Sequence, residues 1–396
     1  MEKTLIRGAR LIDGTGGPAV EPAVLLTARG VIEAVGADAA ARAAEASEVW
    51  DFGDQTLLPG LIDCHNHLSL DPTLDNYLYR MNDPLPELTI RAVSSMKVDL
   101  MAGVTTSRCL GDKGFLDIAC RKASAAGTLP GPRLLVATRG IRAPHGHGFV
   151  GYPFGGVEQI RSAVRENLQA GADLIKVYIT GTLRGPRQIL HFYSREEIQA
   201  AVDEAHRLGV PVATHCIGGP GLKLALETGI DVIEHGYFVT DKEIESLLKY
   251  DRWLVMTPSI FFTDARIRTL PPDLIDGHLR QREEVRRRMA AAIRAGVKYA
   301  VGTDGMHGGL AREIAYLVEM GATPAAGLQA ATADAARLCG LGDRVGTLQK
   351  GKLADCIGVE GNPLEDPDAL ERVRTVILEG RLVKKDEPFS DRGRRP

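Results

Sequence analysis

The stretch Leu58-Pro59-Gly60-Leu61-Ile62-Asp63-Cys64-His65-Asn66-His67 ends an apolar run in two histidines one residue apart. On a strand, residues i and i+2 face the same way. His65 and His67 therefore point together, with Asp63 behind them on that face. Polar side chains leaving an apolar strand need partners. Two readings fit the segment alone: a pair of hydrogen-bonded core histidines, or half of a metal site. The same question recurs along the chain. Lys176 lies inside the apolar run ADLIKVYITG, His215 ends VPVATHC, His235 ends the apolar part of DVIEHGYF, and Asp304 sits in YAVGTDG. Each has an ordinary alternative. A single histidine at a strand end is often just a satisfied polar group, a buried lysine can pair with a carboxylate, and Asp in TDG is a common turn or N-cap. Taken together, they form a set of ligand-type residues placed where strands end.

The elements that must position them alternate. Eight β-like runs are legible: GLIDCHNHL, GVTTSRCL, PRLLVATRG, ADLIKVYITG, VPVATHC, DVIEHGYF, WLVMTPSI and KYAVGTDG. Amphipathic stretches lie between most of them, including LTIRAVSSMKVDLMAG, VEQIRSAVRENLQAG, SREEIQAAVDEAHRLG and HLRQREEVRRRMAAAIRAG. Ser194 with Glu197 three residues on predicts a capping box. Several helices close on a glycine just before the next strand. Buried strands alternating with helices predict a parallel sheet, and eight such units predict an α/β fold with a (β/α)₈ TIM barrel. Catalytic residues of that architecture stand at the C-terminal ends of the strands, where His65, His67, His215, His235 and Asp304 fall. Both chain ends read differently, as short strands with Gly and Asp turns. The expected organisation is a composite β-sandwich from residues 1–58 and 345–396, around a barrel of residues 59–344.

Composition narrows the classes. Of 396 residues, 44% are hydrophobic and 25% charged, and the formal net charge is -3. Lys and Arg are spread along the chain, so no basic stripe points to nucleic acid and no long apolar segment points to a membrane. The start, MEKTLIRGARLIDG, shows no apolar core of signal-peptide length. Six scattered cysteines without a CxxC pair fit reduced thiols and a cytoplasmic location. Cys64 and Cys216 stand beside site candidates and read as small buried apolar residues.

HxH after an apolar strand, a mid-barrel lysine, two single histidines and a late aspartate together resemble the amidohydrolase superfamily. The resemblance covers nearly the whole chain, including ATADAARLCGLGDRVGTLQKGKLADCIGV, which is similar to the return from barrel to sandwich. YSREEIQAAVDEAHRLGVPVATH and GIDVIEHGYFVTD most resemble the prolidase-like branch of Xaa-Pro dipeptidases, carboxypeptidases acting on Arg or Lys ends, and N-acyl amino acid hydrolases. The resemblance implies two divalent metal ions, Zn²⁺ being the expected pair, although imidazole also suits iron, nickel and cobalt. His65 and His67 would hold one ion and His215 and His235 the other. Lys176 would carry a CO₂-derived carbamate bridging both, and Asp304 would contact the first. A metal-bridging hydroxide would then attack the substrate carbonyl, with Asp304 relaying its proton to the leaving amine. Asp63 would orient a ligand histidine from behind, the alternatives being a solvent-facing or a sheet-capping role.

Substrate contacts follow from the same resemblance and from position. A Gly-His-Gly element in TRGIRAPHGHGFVGYPFGG makes His147 the candidate, with His145 the alternate. Arg142 and Arg184 are candidates for pairing with a carboxylate, with surface arginine the alternative for each. Tyr178 and Tyr237 flank ligand positions, and Tyr178 shares a face with Lys176. LDPTLDNYLYRMNDPLPEL and FFTDARIRTLPPDL read as excursions over the barrel mouth, as lids or as oligomer contacts. Two departures from the branch bear on substrate rather than on metal: Ile217 replaces a second histidine, and TGTLRGP follows the lysine strand. The expected activity is binuclear hydrolysis of an amide C–N bond in a dipeptide, N-acyl amino acid or related small molecule, by a homo-oligomer. The alternatives are a cyclic-amide, carbamate or lactone hydrolase on the same centre, and a non-catalytic scaffold, which would show broken ligands.

Overall fold

The computed structural model describes residues 2–181, 189–270 and 272–385. The eight runs are strands: β1 Leu61–Asn66, β2 Val104–Cys109, β3 Arg133–Val136, β4 Ile175–Tyr178, β5 Val212–Cys216, β6 Val232–His235, β7 Trp253–Met256 and β8 Tyr299–Val301. Strands β1, β2 and β3 form one parallel sheet in that order. Strands β4 to β8 run consecutively in a seven-stranded parallel sheet, extended at the β4 edge by Ile141–Arg142 and then Tyr152–Pro153. These two-residue additions lie in the glycine-rich loop after β3 and leave no periodic trace in the sequence. Backbone hydrogen bonds join the two sheets at both ends. Asp173 N donates to Val136 O (2.8 Å), and Asp304 N donates to His65 O (2.7 Å).

The strands are buried nearly throughout, because helices cover them. These include α1 Leu85–Met101, α2 Leu116–Ala125, α3 Val157–Ala170, α4 Arg195–His206, α5 Pro220–Thr228, α6 Asp241–Tyr250, α7 Pro272–Arg294 and α8 Leu310–Glu319. Helix α4 starts with the expected capping box: Glu197 N donates to Ser194 Oγ and Ser194 N to Glu197 Oε2. Thr240 and Glu243 repeat it on α6. Ile160, Val164, Ile198, Leu222, Leu226 and Ile244 turn inward from these helices onto Ile175, Val177, Val212 and Ile233 of the strands.

The chain ends build two further sheets. One joins Val31–Val35, Ala23–Ala28, Lys3–Gly8 and Glu48–Asp51. The other runs Arg381–Lys385, Val373–Leu378, Cys356–Val359, Thr56–Pro59 and Arg10–Leu11. Cys356–Val359 pairs antiparallel with Thr56–Pro59, so residues some 300 positions apart share one ladder. Ile6, Leu25 and Ile32 of the first sheet share a core with Leu57, Cys356 and Ile377 of the second. The run SEVWDFGDQTLLPG thus divides at Gly53 and Asp54, each half going to a different sheet.

The two excursions pack on each other. Residues 70–84 carry a short 3₁₀ turn, Tyr79–Asn82, and the segment after β7 carries the short helices Ser259–Phe262 and Asp264–Arg268. Thr269 Oγ1 donates to Pro72 O (2.8 Å), and Arg266 Nη2 donates to Tyr77 OH (2.6 Å). Arg91 of α1 ties the first excursion down through Asp83 and Ser69 O. Arg282 of α7 ties the second through Phe261 O and Asp264. Among the described residues no helix is long and apolar enough to cross a membrane, and all six cysteines are unpaired.

Candidate active site

The C-terminal ends of β1, β5, β6 and β8 bring four histidines and one aspartate together. The ring centroids of His65 lie 5.4 Å from His67 and 4.6 Å from His235, and His215 lies 4.5 Å from His235. Asp304 Oδ1 is 3.2 Å from His65 Nε2 and 3.5 Å from His67 Nε2. One ligand atom each from His65, His235 and Asp304 falls within 4.8 Å of the others. Lys176 is fully buried on β4, and among the described residues its Nζ has no hydrogen-bond partner. It lies 5.2 Å from the centre of the Tyr178 ring.

The far side of each ring decides which nitrogen faces inward. His67 Nδ1 meets Gly111 O at 2.7 Å and His65 Nδ1 meets Glu234 Oε2 at 2.8 Å. A carbonyl and a carboxylate only accept, so both Nδ1 atoms carry the proton and both Nε2 lone pairs point at the cluster. His235 Nδ1 meets Thr257 Oγ1 at 2.8 Å. Among the described residues, buried His65 Nε2 and His215 Nε2, like Lys176 Nζ, have no hydrogen-bond partner. Orphaned buried polar atoms converging on one site fit a group to be held there. The donor set of imidazole nitrogens, a carboxylate and an amine suits divalent metal ions.

Electrostatics agree. Burial pushes His67 down to about 3 and drives His215 and His235 well below the usual imidazole range, so these rings are neutral donors at neutral pH. Burial lowers the Lys176 ammonium to about 8 against the opposing pull of Glu234 and Asp304. Burial acts to raise the Asp304 carboxyl, but His65, His67 and Lys176 outweigh it and hold it well below the ordinary carboxylate range.

Backbone strain sits in the same place. Asp304 has φ 51° and His235 φ 75°, both left-handed for non-glycine residues. At His235 this breaks strand alternation, so adjacent Glu234 and His235 both reach His65. Gly302 lets β8 approach β1, since a Cβ there would lie 2.3 Å from His65 N.

Glu234 was not singled out by the sequence reading. It is fully buried between His65 Nδ1 and Arg108 Nη1 (2.9 Å), itself buried on β2 and donating to Cys64 O at 2.8 Å. Burial would raise its carboxyl, yet Arg108 and His65 bring it to about 2. The available signal was a lone acidic and a lone basic residue inside buried strands: Glu234 in DVIEH and Arg108 in TTSRCL. Asp63 stands behind His65 but acts on backbone. It accepts from His65 N (3.0 Å), Thr303 N (3.2 Å) and Thr303 Oγ1 (2.7 Å), locking β1 to β8.

Of the substrate candidates, His147 lies over His215 at 4.4 Å, while the alternate, His145, packs on Phe192. Tyr178 lies 6.0 Å from His215. Tyr237 stacks on His235 at 5.1 Å, its hydroxyl 2.6 Å from Thr257 Oγ1. Arg142 turns Nη1 to the carbonyls of Ala143 and Pro144 in its own loop. Arg184 lies outside the described residues. Ile217 is buried in the apolar core, its N bound to Thr180 Oγ1.

Residues 56–383 match the model of the amidohydrolase family. The chain belongs to that family. This amidohydrolase is a hydrolase acting on carbon–nitrogen bonds. It is 30% identical to ochratoxinase of Aspergillus niger over 420 residues, covering 94% of this chain and 84% of that protein. Imidazolonepropionase of Pseudomonas putida (strain GB-1) is 26% identical over 414 residues, covering 94% of this chain and 95% of its own. The solved structure of a Xaa-Pro dipeptidase with methionine bound in its active site superposes with a TM-score of 0.84 at 29% identity, covering 97% of this chain and 100% of that one. These neighbours are consistent with the prolidase-like branch of the family and with a TIM-barrel type of fold.

Proposed function

We propose that this amidohydrolase hydrolyses the amide bond of an N-acyl amino acid, dipeptide or related small molecule at a binuclear divalent-metal centre, with zinc the expected metal. The observation that carries the reading is the convergence of His65, His235 and Asp304 on one point, beside a buried Lys176 amine with no partner. His65 and His67 would hold one ion and His215 and His235 the other, with Asp304 on the first. Lys176, as a carbamate formed from CO₂, would supply an anionic bridge that an ammonium cannot. When bound, such ions polarise a carbonyl and make water acidic enough to attack near neutral pH.

The chain's own residues do the rest. Asp304, ionised and adjacent to both His65 and His67, takes the proton of the attacking water and returns it to the leaving nitrogen. Glu234 and Thr257 fix the His65 and His235 rings, and Asp63 fixes the strand beneath. His147 contacts substrate from above His215, Tyr178 and Tyr237 wall the cavity, and Arg142 shapes the loop that carries His147. The two hydrogen-bonded junctions support closure of β1 to β8 into one (β/α)₈ barrel. The shared core of the terminal sheets supports a composite β-sandwich. Exposed Leu78 and Tyr79 before α1, with Leu85 and Ile90 on it, favour self-association. The likeness to imidazolonepropionase favours cyclic amides as a second substrate class.

The test is elemental analysis of protein purified without added metal, beside the Lys176→Ala variant, followed by a screen of N-acyl amino acids and dipeptides. Two equivalents in the wild type, falling in the variant, are expected. One equivalent unchanged by the substitution refutes the bridge, and no hydrolysis by the metal-loaded enzyme refutes the substrate class.

A further inference from the structure

Arg266 is a buried cation that meets no anion among the described residues. Only 7% of it is exposed, yet among the described residues it pairs with no carboxylate. Its Nη2 is spent on Tyr77 OH, and its guanidinium lies 4.6 Å from the centre of the Tyr77 ring. Its Nε and Nη1 are buried with no hydrogen-bond partner among the described residues. A desolvated guanidinium with two idle donors is unfavourable unless something negative completes it.

Its position says what that is. Tyr77 packs against the cluster of Leu70, Met81, Val150 and Tyr178, and Tyr178 is two residues beyond Lys176. Arg266 follows Phe261, whose ring packs 4.7 Å from Tyr237, which in turn stacks on His235. Arg266 thus bridges the two excursions over the site, with the β4 side under Tyr77 and the β6 side under Phe261. Tyr77 and Tyr237 are each close enough to feel the charges of both Arg266 and Asp304, so the guanidinium stands near the ligand cluster.

We propose that Arg266 is the receptor for the substrate's carboxylate and that it selects amides bearing a free carboxylate beside the scissile bond. The proposal rests on the hydrolytic reading above and deepens it. A carboxylate takes two parallel N–H bonds from one guanidinium, the geometry that Arg offers and Lys does not. Arg142, its Nη1 engaged by its own loop, is less available for this role. Because Arg266 also clamps Tyr77, binding of the acid would stiffen the contact between the two excursions over the site.

The experiment compares kcat/KM for N-acetyl amino acids with that for their carboxamides in the metal-loaded wild type and the Arg266→Gln and Arg266→Lys variants. Calorimetry of the free N-acetyl amino acid against its carboxamide runs alongside. The wild type should prefer the acid, and R266Q should cut that preference about 10- to 100-fold, as loss of charge-assisted hydrogen bonds requires. R266K keeps the charge and the stem but loses the fork. If R266Q does not fold, a fall of about tenfold in R266K supports the assignment and no fall overturns it. Equal losses on acid and carboxamide, or an unaltered preference, overturn it while leaving the hydrolytic reading intact. If the wild type cleaves neither compound, the N-acyl amino acid part of that reading fails and calorimetry decides alone. Acid binding that depends on Arg266 supports the receptor, and binding without preference for the acid overturns it.

Discussion

Replacing Glu234 by Gln tests the argument that the metal-ligand geometry is held by a buried ion pair. Glu234 accepts from His65 Nδ1 at 2.8 Å and from Arg108 Nη1 at 2.9 Å, with no exposure. Gln keeps the shape but removes the charge, leaving Arg108 buried and uncompensated. Breaking a buried pair from one side costs about 3–5 kcal/mol. The depression of the Glu234 carboxyl corresponds to a comparable figure. A carboxyl at about 2 in the fold rather than at its ordinary 4.5 corresponds to about 3 kcal/mol. The sign is that of a depressed carboxylate: the stabilisation is present above about 4.5 and is lost as pH falls toward about 2. Urea unfolding of wild type and E234Q at pH 7 should therefore differ by about 3 kcal/mol, with the difference narrowing below pH 4.5. The variant should also release metal to a chelator about 10- to 100-fold more readily, because the His65 ring loses its orienting acceptor. A variant within about 0.5 kcal/mol of wild type that holds its metal equally well would refute the reasoning. Glu234 would then be a passenger in the strand.

Other predictions follow from single contacts. Gly302→Ala places a Cβ 2.3 Å from His65 N, so the urea midpoint should fall by the equivalent of about 3 kcal/mol and metal content should drop with it. Asp304→Asn should lower kcat roughly 10²- to 10⁴-fold by removing the proton acceptor. Its thermal midpoint should stay near wild type, because Asn tolerates the left-handed backbone at φ 51°. His307 bonds Asp99 Oδ2 through Nδ1 and Leu70 O through Nε2. Burial would lower the ring, but Asp99 and that carbonyl hold it up at about 9. Its stabilisation is thus complete below about 6.5 and lost as pH rises through about 9. The stability gap between wild type and His307→Gln should close across that window.

The repeating units were legible because strand and helix leave different hydrophobic periods, and eight runs each followed a turn or glycine signal. Strand ends carrying His65, His67, His215, His235 and Asp304 were legible for the same reason, since polar residues interrupt apolar runs there. Two-residue strands such as Ile141–Arg142 were not, because they are shorter than one hydrophobic period. Glu234 escaped because its neighbour His235 fills the expected ligand position, and strand alternation assigns adjacent residues to opposite faces. Only the φ of 75° at His235 sets that rule aside. Arg266 was equally silent, being one more arginine in a loop containing FFTDARIRTL until folding buried it against Tyr77.

The sequence by itself therefore determined which residue types exist and on which element each stands, because periodicity and capping are local properties of the chain. Tertiary structure alone decided which charges face each other. It set Arg108 and His65 on Glu234, aimed the Nε2 lone pairs inward through Gly111 and Glu234, and left Lys176 Nζ and two Arg266 nitrogens buried with no hydrogen-bond partner among the described residues. Those outcomes depend on distances between segments many tens of residues apart, which no local pattern encodes. The low-dielectric interior then magnifies each one.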